Sequence, residues 1–235
     1  MLCKIADLIV NIPEAGGMAP RCRAYLTNSQ QPVDIEIRAE EYELFDIYGG
    51  SESVMAYMES GWQFYMHLLR FSGLMMHAAA VSYEGKAYLF SGPSGVGKST
   101  HTELWQQCFG DKVQIINDDK PAIRQIDGRW FVYGTPWCGK NGINTNCKVP
   151  LGGICFLKQG EKNVIRRLSA PEIVPLLYMQ TNHLLKKKEN MHRLLSAIEA
   201  LVQQIPIYEL ENLPVPAAAQ LSMETMQAGA QQAGL

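Results

Sequence analysis

The chain has 235 residues, of which 47% are hydrophobic and 19% charged, a balance typical of a globular domain. Its net charge of −2 gives no overall basic field, which disfavours nucleic acid and anionic membranes as partners. No uncharged apolar run approaches the roughly 18 residues of a membrane span, and charges at Lys4 and Asp7 argue against a secretory signal. The six cysteines are scattered without a C-x-x-C pair, which favours a reducing compartment, and we expect a cytoplasmic protein.

The N-terminal part is predicted to form a small β layer followed by a helix. Residues 3–10, 22–26 and 33–37 are short apolar bursts separated by turn formers, and we expect three strands in an antiparallel layer. Over 51–71 the apolar residues recur at three- and four-residue steps, which predicts an amphipathic helix. Its methionine and aromatic side chains are interpreted as core rather than cofactor contacts. We treat 1–72 as one unit packed on the rest.

The remaining chain, 73–226, is predicted to be one α/β domain with a frayed tail over 227–235. Gly110 is a usual place for the helix over 98–109 to end, and Asp127-Gly128 is a strong hairpin signal. The lysines at 186–188 are interpreted as a solvated connector rather than a partner site. The predicted strands are 74–82, 86–90, 112–119, 122–126, 129–133, 153–158 paired with 163–167, and 207–210; the predicted helices are 98–109, 170–178 and 190–204.

A glycine-rich loop between the strand 86–90 and the helix 98–109 fits G-x-x-x-x-G-K-[ST], the pattern that cradles phosphates. Backbone amides there converge on an anion at the positive end of the helix. An accidental glycine turn is the alternative, and the flanking strand and helix disfavour it. Lys98 is expected to reach the β- and γ-phosphates, and Ser99 to hold Mg²⁺. The residues expected to bind nucleotide are Gly92, Pro93, Ser94, Gly95, Val96, Gly97, Lys98, Ser99 and Thr100.

Two adjacent carboxylates, Asp118 and Asp119, end the strand predicted over 112–119. If that strand lies beside the loop strand, its carboxyl end points at the γ-phosphate. One carboxylate then serves Mg²⁺ while the other faces a substrate hydroxyl, and their repulsion raises the proton affinity of one. The alternative is a plain acidic turn, because N-D-D-K is good turn material.

Two further side chains are candidates for the same site. His77 lies in a predicted buried strand, where a histidine is usually a core residue, but a neighbouring Asp118 would give it an orienting role. Lys140 lies in the loop predicted over 134–142 and is a candidate charge stabiliser for the γ-phosphate, with a solvated lysine as the equal alternative.

These segments together resemble a known family. His77-Ala78-Ala79-Ala80-Val81, G-P-S-G-V-G-K-S-T at 92–100 and N-D-D at 117–119 are similar to the catalytic domain of HPr kinase/phosphorylase and, more distantly, to phosphoenolpyruvate carboxykinases. The resemblance covers roughly 75–160. It implies a mixed α/β fold of the carboxykinase nucleotide-binding type and an ATP- and Mg²⁺-dependent serine kinase.

The resemblance also implies roles for the matching residues. Lys98 would bind the β- and γ-phosphates, and Ser99 with Asp119 would hold Mg²⁺. Asp118 would be the base towards the acceptor hydroxyl, and His77 would steer it. Shorter chains of this kind also resemble kinases of serine in ribosomally made precursor peptides.

We therefore expect a kinase that transfers the γ-phosphate of ATP to a hydroxyl, the serine of a small protein or peptide. No nucleic acid or membrane partner is expected, and the resemblance makes a homo-oligomer possible. Two other classes stay open: a nucleotide-gated binding or regulatory module with little or no turnover, and carboxykinase-like decarboxylation, for which the chain looks short.

Overall fold

A computed structural model describes residues 1–14, 16–39, 51–139, 142–181 and 187–235. The predicted Lys140 and part of the lysine run at 186–188 lie outside the described residues. The strands are β1 Leu2–Ile5, β2 Leu8–Asn11, β3 Ile35–Glu36, β4 Gly73–Met75, β5 Ala78–Tyr83, β6 Lys86–Ser91, β7 Val113–Asn117, β8 Ala122–Ile126, β9 Arg129–Tyr133, β10 Lys148–Gln159, β11 Val164–Arg167 and β12 Ile207–Asn212. The helices are α1 Met18–Cys22, α2 Glu52–Leu68, α3 Lys98–Phe109, α4 Ala170–Gln180, α5 Lys188–Gln204 and α6 Pro216–Gln232.

The larger sheet is mixed and curled around one long strand. Its order is β4-β8-β9-β10-β6-β5-β7, with β12 on β10 and β11 on β12. The first residues of β10 pair antiparallel with β9, and its later residues pair parallel with both β6 and β12. The mixed α/β class predicted from the sequence is confirmed.

Both faces of the larger sheet are covered by helices, as β6 shows. Its side chains alternate: Ala87 and Leu89 pack in the cluster that includes α4 and α5, while Tyr88 and Phe90 pack against α3 and α6. Successive side chains of a strand point to opposite faces, so a strand covered on both sides is apolar throughout. This burial fixes the end of β6, from which the glycine-rich loop starts.

The N-terminal layer differs from the prediction in three ways. The expected strand over 3–10 is two strands, because Ala6 and Asp7 adopt φ values of 53° and 60° and reverse the chain between β1 and β2. The stretch 22–26 is not a strand. It continues from α1 into a 3-10 turn, Arg23–Tyr25. The short β3 pairs parallel with β2, so the layer is mixed rather than antiparallel.

Strand pairing in the larger sheet also departs from expectation. The strand predicted over 74–82 breaks at Met76 and His77, so that β4 pairs with β8 while β5 pairs with β6 and β7. Consequently β5 lies between β6 and β7, which were expected to be neighbours. Because β5 is antiparallel to both, β6 and β7 still end at the same edge. The expected partner of β11 is also wrong: β11 pairs with β12 instead of β10.

The C-terminal segment is ordered helix where a frayed tail was expected. Helix α6 runs through Gln232, and Met226 and Ala230 are fully buried. Its Ser222 Oγ accepts hydrogen bonds from Trp105 Nε1 at 2.9 Å and donates to the Ala219 carbonyl at 2.9 Å. The small side chains of α6 allow it to lie close to α3. This close packing stabilises α6, although its sequence has no continuous stripe of large apolar residues.

Across the residues that the structure describes, no helix is both long enough and apolar enough to cross a membrane.

Candidate functional site

The glycine loop (residues 92–97) links β6 to α3 in a conformation that only glycine adopts easily. Gly92, Gly95 and Gly97 have φ values of 142°, 80° and 106°, in the region that strains any other residue. A Cβ on Gly92 would lie 3.1 Å from the Leu157 carbonyl oxygen. The loop therefore turns back onto the N-terminus of α3, whose free amides and positive dipole end attract anions.

The first residues of α3 supply the side chains predicted to meet phosphate and metal. Lys98 is buried, and its Nζ donates to the carbonyls of Gly92 and Pro93 at 3.0 and 3.2 Å. Burial lowers the pKa of Lys98, and the nearby charge of Asp119 opposes that decrease. Ser99 and Thr100 are exposed and line the same cavity as Lys98.

Asn117, the last residue of β7, builds the turn that presents the acid pair (Asp118 and Asp119). Its Oδ1 accepts hydrogen bonds from the backbone N–H of Asp119 at 2.9 Å and of Lys120 at 2.7 Å. Its Nδ2 donates to the Thr135 carbonyl at 3.1 Å. The N-D-D-K segment is thus a true side-chain-stabilised turn, and the turn directs both carboxylates to the cavity.

Asp118 is the more buried acid. Its Oδ1 accepts a hydrogen bond from the Gly139 N–H at 2.5 Å. Burial raises the pKa of Asp118, the Gly139 hydrogen bond opposes the increase, and the charge of Asp119 adds to it to a smaller extent. Burial, more than the expected mutual repulsion, therefore raises the proton affinity of this carboxylate.

Asp119 lies among cations and polar groups. Lys120 Nζ is 2.5 Å from its Oδ2, and His77 Nε2 is 3.4 Å from its Oδ1. The ring of His77 is held on its other side, where Nδ1 lies 3.2 Å from Gln180 Oε1. The sequence left two interpretations of His77, a core residue of a strand or a neighbour of Asp118; the structure places it beside Asp119, in the break between β4 and β5. Burial and then the charge of Lys98 lower the pKa of His77, which favours its neutral form.

A buried tryptophan fixes the segment that carries Gly139. Trp137 is stacked on Phe64, with ring centroids 4.7 Å apart, and its Nε1 donates to Ser60 Oγ at 3.1 Å. Thr135 Oγ1 donates to the Lys120 carbonyl at 2.8 Å. Helix α2 therefore anchors the start of the loop predicted over 134–142, and the anchored loop delivers the Gly139 N–H to Asp118.

The glycine loop, the start of α3 and the acid pair line one cavity of about 600 Å³. That volume suits a small-molecule ligand. Gly92, Pro93 and Val96 do not line this cavity, although Gly92 shapes the loop. The predicted site residues that the structure brings together here are His77, Ser94, Gly95, Gly97, Lys98, Ser99, Thr100, Asp118 and Asp119.

Four residues of the cavity wall were not predicted: Arg21, Tyr57, Cys138 and Gly139. Tyr57 Oη donates to the Cys138 carbonyl at 3.0 Å and lies 3.5 Å from Asp119 Oδ2. Arg21 and Tyr57 come from segments that carry no motif. The G-T-P-W-C-G run at 134–139 signalled only a loop, so its contact with Asp118 had no sequence signal.

The donor set suits Mg²⁺ shared with phosphates better than an all-protein metal site. Within the described ranges, no group of three or more His, Cys, Asp or Glu side chains is placed to hold a metal. The cavity does bring together the Ser99 hydroxyl and the Asp119 carboxylate. Mg²⁺ is usually bound through one or two carboxylates together with substrate phosphates and water. Ser99 and Asp119 therefore fit the protein's share of such a site.

Comparisons with known proteins identify one family. The profile of SynChlorMet cassette protein ScmC matches residues 43–215, which are 173 of the 235 residues. One similar solved structure is the Hpr(Ser) kinase/phosphatase from Coxiella burnetii, at 13% sequence identity and a TM-score of 0.39, covering 67% of this chain and 90% of that one. A likeness of this extent assigns no role to any residue. Among curated proteins, none matches the sequence.

Proposed function

The chain belongs to the ScmC family of SynChlorMet cassette proteins, and we propose that it is an ATP- and Mg²⁺-dependent kinase that transfers the γ-phosphate to a hydroxyl. The observation that carries this proposal is the shared cavity. A loop built to hold phosphate and a carboxylate with raised proton affinity line the same space of about 600 Å³. A protein that only binds nucleotide needs the phosphate-holding loop. Transfer of phosphate to a hydroxyl also needs a group that accepts the hydroxyl proton, and the carboxylate can be that group.

The loop and Lys98 would position the triphosphate. The backbone amides of 92–97 and the N-terminus of α3 would hold the phosphate oxygens. Lys98 Nζ, which now donates to the carbonyls of Gly92 and Pro93, would instead donate to the β- and γ-phosphates. Ser99 and Asp119 would hold Mg²⁺, which supplies charge neutralisation on the phosphates when bound. Most of the catalysis would come from alignment of the two oxygens about the γ-phosphorus.

Asp118 would act as the base. In the transfer, the acceptor oxygen forms a bond to the γ-phosphorus while the bond to the β–γ bridging oxygen breaks, and ADP leaves with that electron pair. The hydroxyl proton passes to Asp118 Oδ2, because Oδ1 already accepts the Gly139 N–H. In the tautomer with its proton on Nε2, the neutral ring of His77 would donate to Asp119 Oδ1 and help to fix the position of that carboxylate.

The acceptor is proposed to be the serine of a small protein or peptide, as the resemblance to HPr kinases and precursor-peptide kinases implies. Ser94, Ser99 and Thr100 are exposed at the cavity, so an acceptor chain can reach the γ-phosphate from solvent. The rival is a nucleotide-gated binding module, which would hold ATP in the same loop without transferring phosphate.

The test is phosphate transfer from γ-labelled ATP in extract of the source organism, followed by identification of the labelled species. We expect label on a serine-bearing protein or peptide with the wild-type chain, and none with Lys98→Met or Asp118→Asn. Asp111→Asn is the matched control, because Asp111 is an exposed carboxylate in the turn before β7. Nucleotide binding without label on any acceptor would favour the binding module instead.

A further inference from the structure

A guanidinium that belongs to neither motif faces the cavity. Arg21 of α1 lines it together with Lys98 and the acid pair. Its Nη1 donates to the Cys138 carbonyl at 3.3 Å, and its guanidinium carbon lies 4.7 Å from the centroid of the Tyr57 ring. Within the part of the chain that the structure describes, Arg21 forms no ion pair with a carboxylate. Its charge is therefore available to a ligand.

The backbone around Arg21 is fixed by buried neighbours. Met18, Cys22 and Tyr25 are all buried in the core cluster that also contains side chains of α2. At Gly16, a Cβ would lie 2.1 Å from the Cβ of Ala56, so the turn before α1 packs directly on α2. The packing holds α1 in place and leaves Arg21 half-buried at the cavity wall. A pre-positioned cation costs little reorganisation when charge develops in front of it.

Arg21 lies next to the proposed base. It contacts Cys138, the residue before Gly139, whose N–H holds Asp118. The guanidinium is thus beside the carboxylate that faces the acceptor oxygen, where the γ-phosphoryl group must also lie during transfer.

We propose that Arg21 is a catalytic residue whose guanidinium contacts the γ-phosphoryl oxygens during transfer, as a second cation beside Lys98. The planar guanidinium presents paired N–H donors that match two phosphoryl oxygens. Among the described residues, Nη1 donates to Cys138 alone, which leaves the other guanidinium N–H groups for the phosphoryl group. The inference rests on the proposed kinase function and extends it to a residue outside both sequence motifs.

The test compares the affinity of the full chain for Mg²⁺–ADP with its affinity for Mg²⁺–ADP plus aluminium fluoride, a mimic of the transferring phosphoryl group. Arg21→Met keeps the aliphatic stem and removes the guanidinium. We expect it to lower affinity for the aluminium fluoride complex at least about 100-fold, with ADP affinity and melting temperature close to wild type. Arg21→Lys is expected to recover only part of the loss. Arg23→Met, at an exposed arginine of the same segment, should leave both affinities unchanged.

Each outcome bears on a distinct claim. Wild-type affinity of Arg21→Met for the aluminium fluoride complex, or an equal loss for ADP alone, would overturn the catalytic role. An equal loss would indicate that Arg21 only ties α1 to the 134–139 segment. If the wild-type chain binds neither ADP nor its aluminium fluoride complex, the kinase proposal fails and the role of Arg21 falls with it.

Discussion

Replacing Gly139 by alanine is expected to displace the carboxylate of Asp118 while the fold stays intact. A Cβ at Gly139 would lie 2.8 Å from Asp118 Oδ2, 3.0 Å from Cγ and 3.1 Å from Oδ1, whereas ordinary van der Waals contact begins at 3.4 Å. The carboxylate must therefore retreat by about 0.6 Å. Gly139 has no left-handed φ, so its backbone conformation tolerates alanine. Because a misplacement of about 1 Å can cost about 100-fold in rate, we expect transfer to fall by about 10- to 100-fold.

The assay is single-turnover transfer from γ-labelled ATP, with nucleotide affinity measured separately by calorimetry. Only the transfer rate should change, because Gly139 contacts the acid and not the glycine loop. Gly153→Ala in β10 is the matched control: its Cβ would lie 3.3 Å from Cε of Met226 in α6, the end of a flexible side chain. A Gly139→Ala protein that is folded and transfers phosphate at the wild-type rate would refute the placement of Asp118 at the reacting oxygen.

Three further changes test the site and its supports. Because burial raises the pKa of Asp118, its contribution to stability is present below the ordinary aspartate value of about 3.9 and is lost as the pH rises through the folded-state pKa. Asp118→Asn should therefore unfold at higher urea than wild type at neutral pH, yet lose transfer; equal or lower stability there would contradict the assigned shift. Trp137→Ala should cost about 3–5 kcal/mol of unfolding free energy and also slow transfer, measured by urea unfolding beside the activity assay; a fully active variant would show that the tryptophan does not position Gly139. Ser222→Ala should cost about 1–3 kcal/mol by leaving the buried Trp105 Nε1 without an acceptor, and a calorimetric melting temperature equal to wild type would show that α6 contributes little.

Elements with local chemical signals were predicted well. The helix at 98–109 was placed residue for residue, because the glycine loop starts it and Gly110 ends it. The hairpin of β8 and β9 turns at Asp127 and Gly128, with φ values of 49° and 79°, as the Asp-Gly pair indicated. In both cases a residue type selects a backbone conformation directly, so no knowledge of the tertiary structure was needed.

The failures occurred where tertiary contacts decide the structure. The stretch 22–26 is apolar enough for a strand, but Met18, Cys22 and Tyr25 are buried at helical spacing against α2, which favours helix. Helix α6 has small residues in place of an apolar stripe, and its stability comes from packing against α3 that its own sequence does not reveal. The order of β6, β5 and β7 is likewise a matter of pairing between distant segments.

The residues of the candidate site also fall into two groups, those with a local sequence signal and those that only tertiary contacts reveal. The glycine loop and the acid pair were found because each is a contiguous motif with a chemical purpose, and the structure places both on one cavity. Arg21 and Tyr57 reach that cavity from 77 and 41 residues before Lys98, on elements whose sequences carry no phosphate signal. Gly139 was hidden in a segment of turn formers, and its role is visible only in the hydrogen bond to Asp118.

The most direct test of the kinase proposal is the stoichiometry of a reaction containing the wild-type chain, Mg²⁺, ATP and the labelled acceptor once it is identified. ADP and phosphorylated acceptor are measured in the same samples over time. The proposed mechanism predicts one phosphorylated hydroxyl for each ADP formed, and no product with Lys98→Met. ATP that stays intact while bound, or ADP that accumulates with only inorganic phosphate, would contradict it.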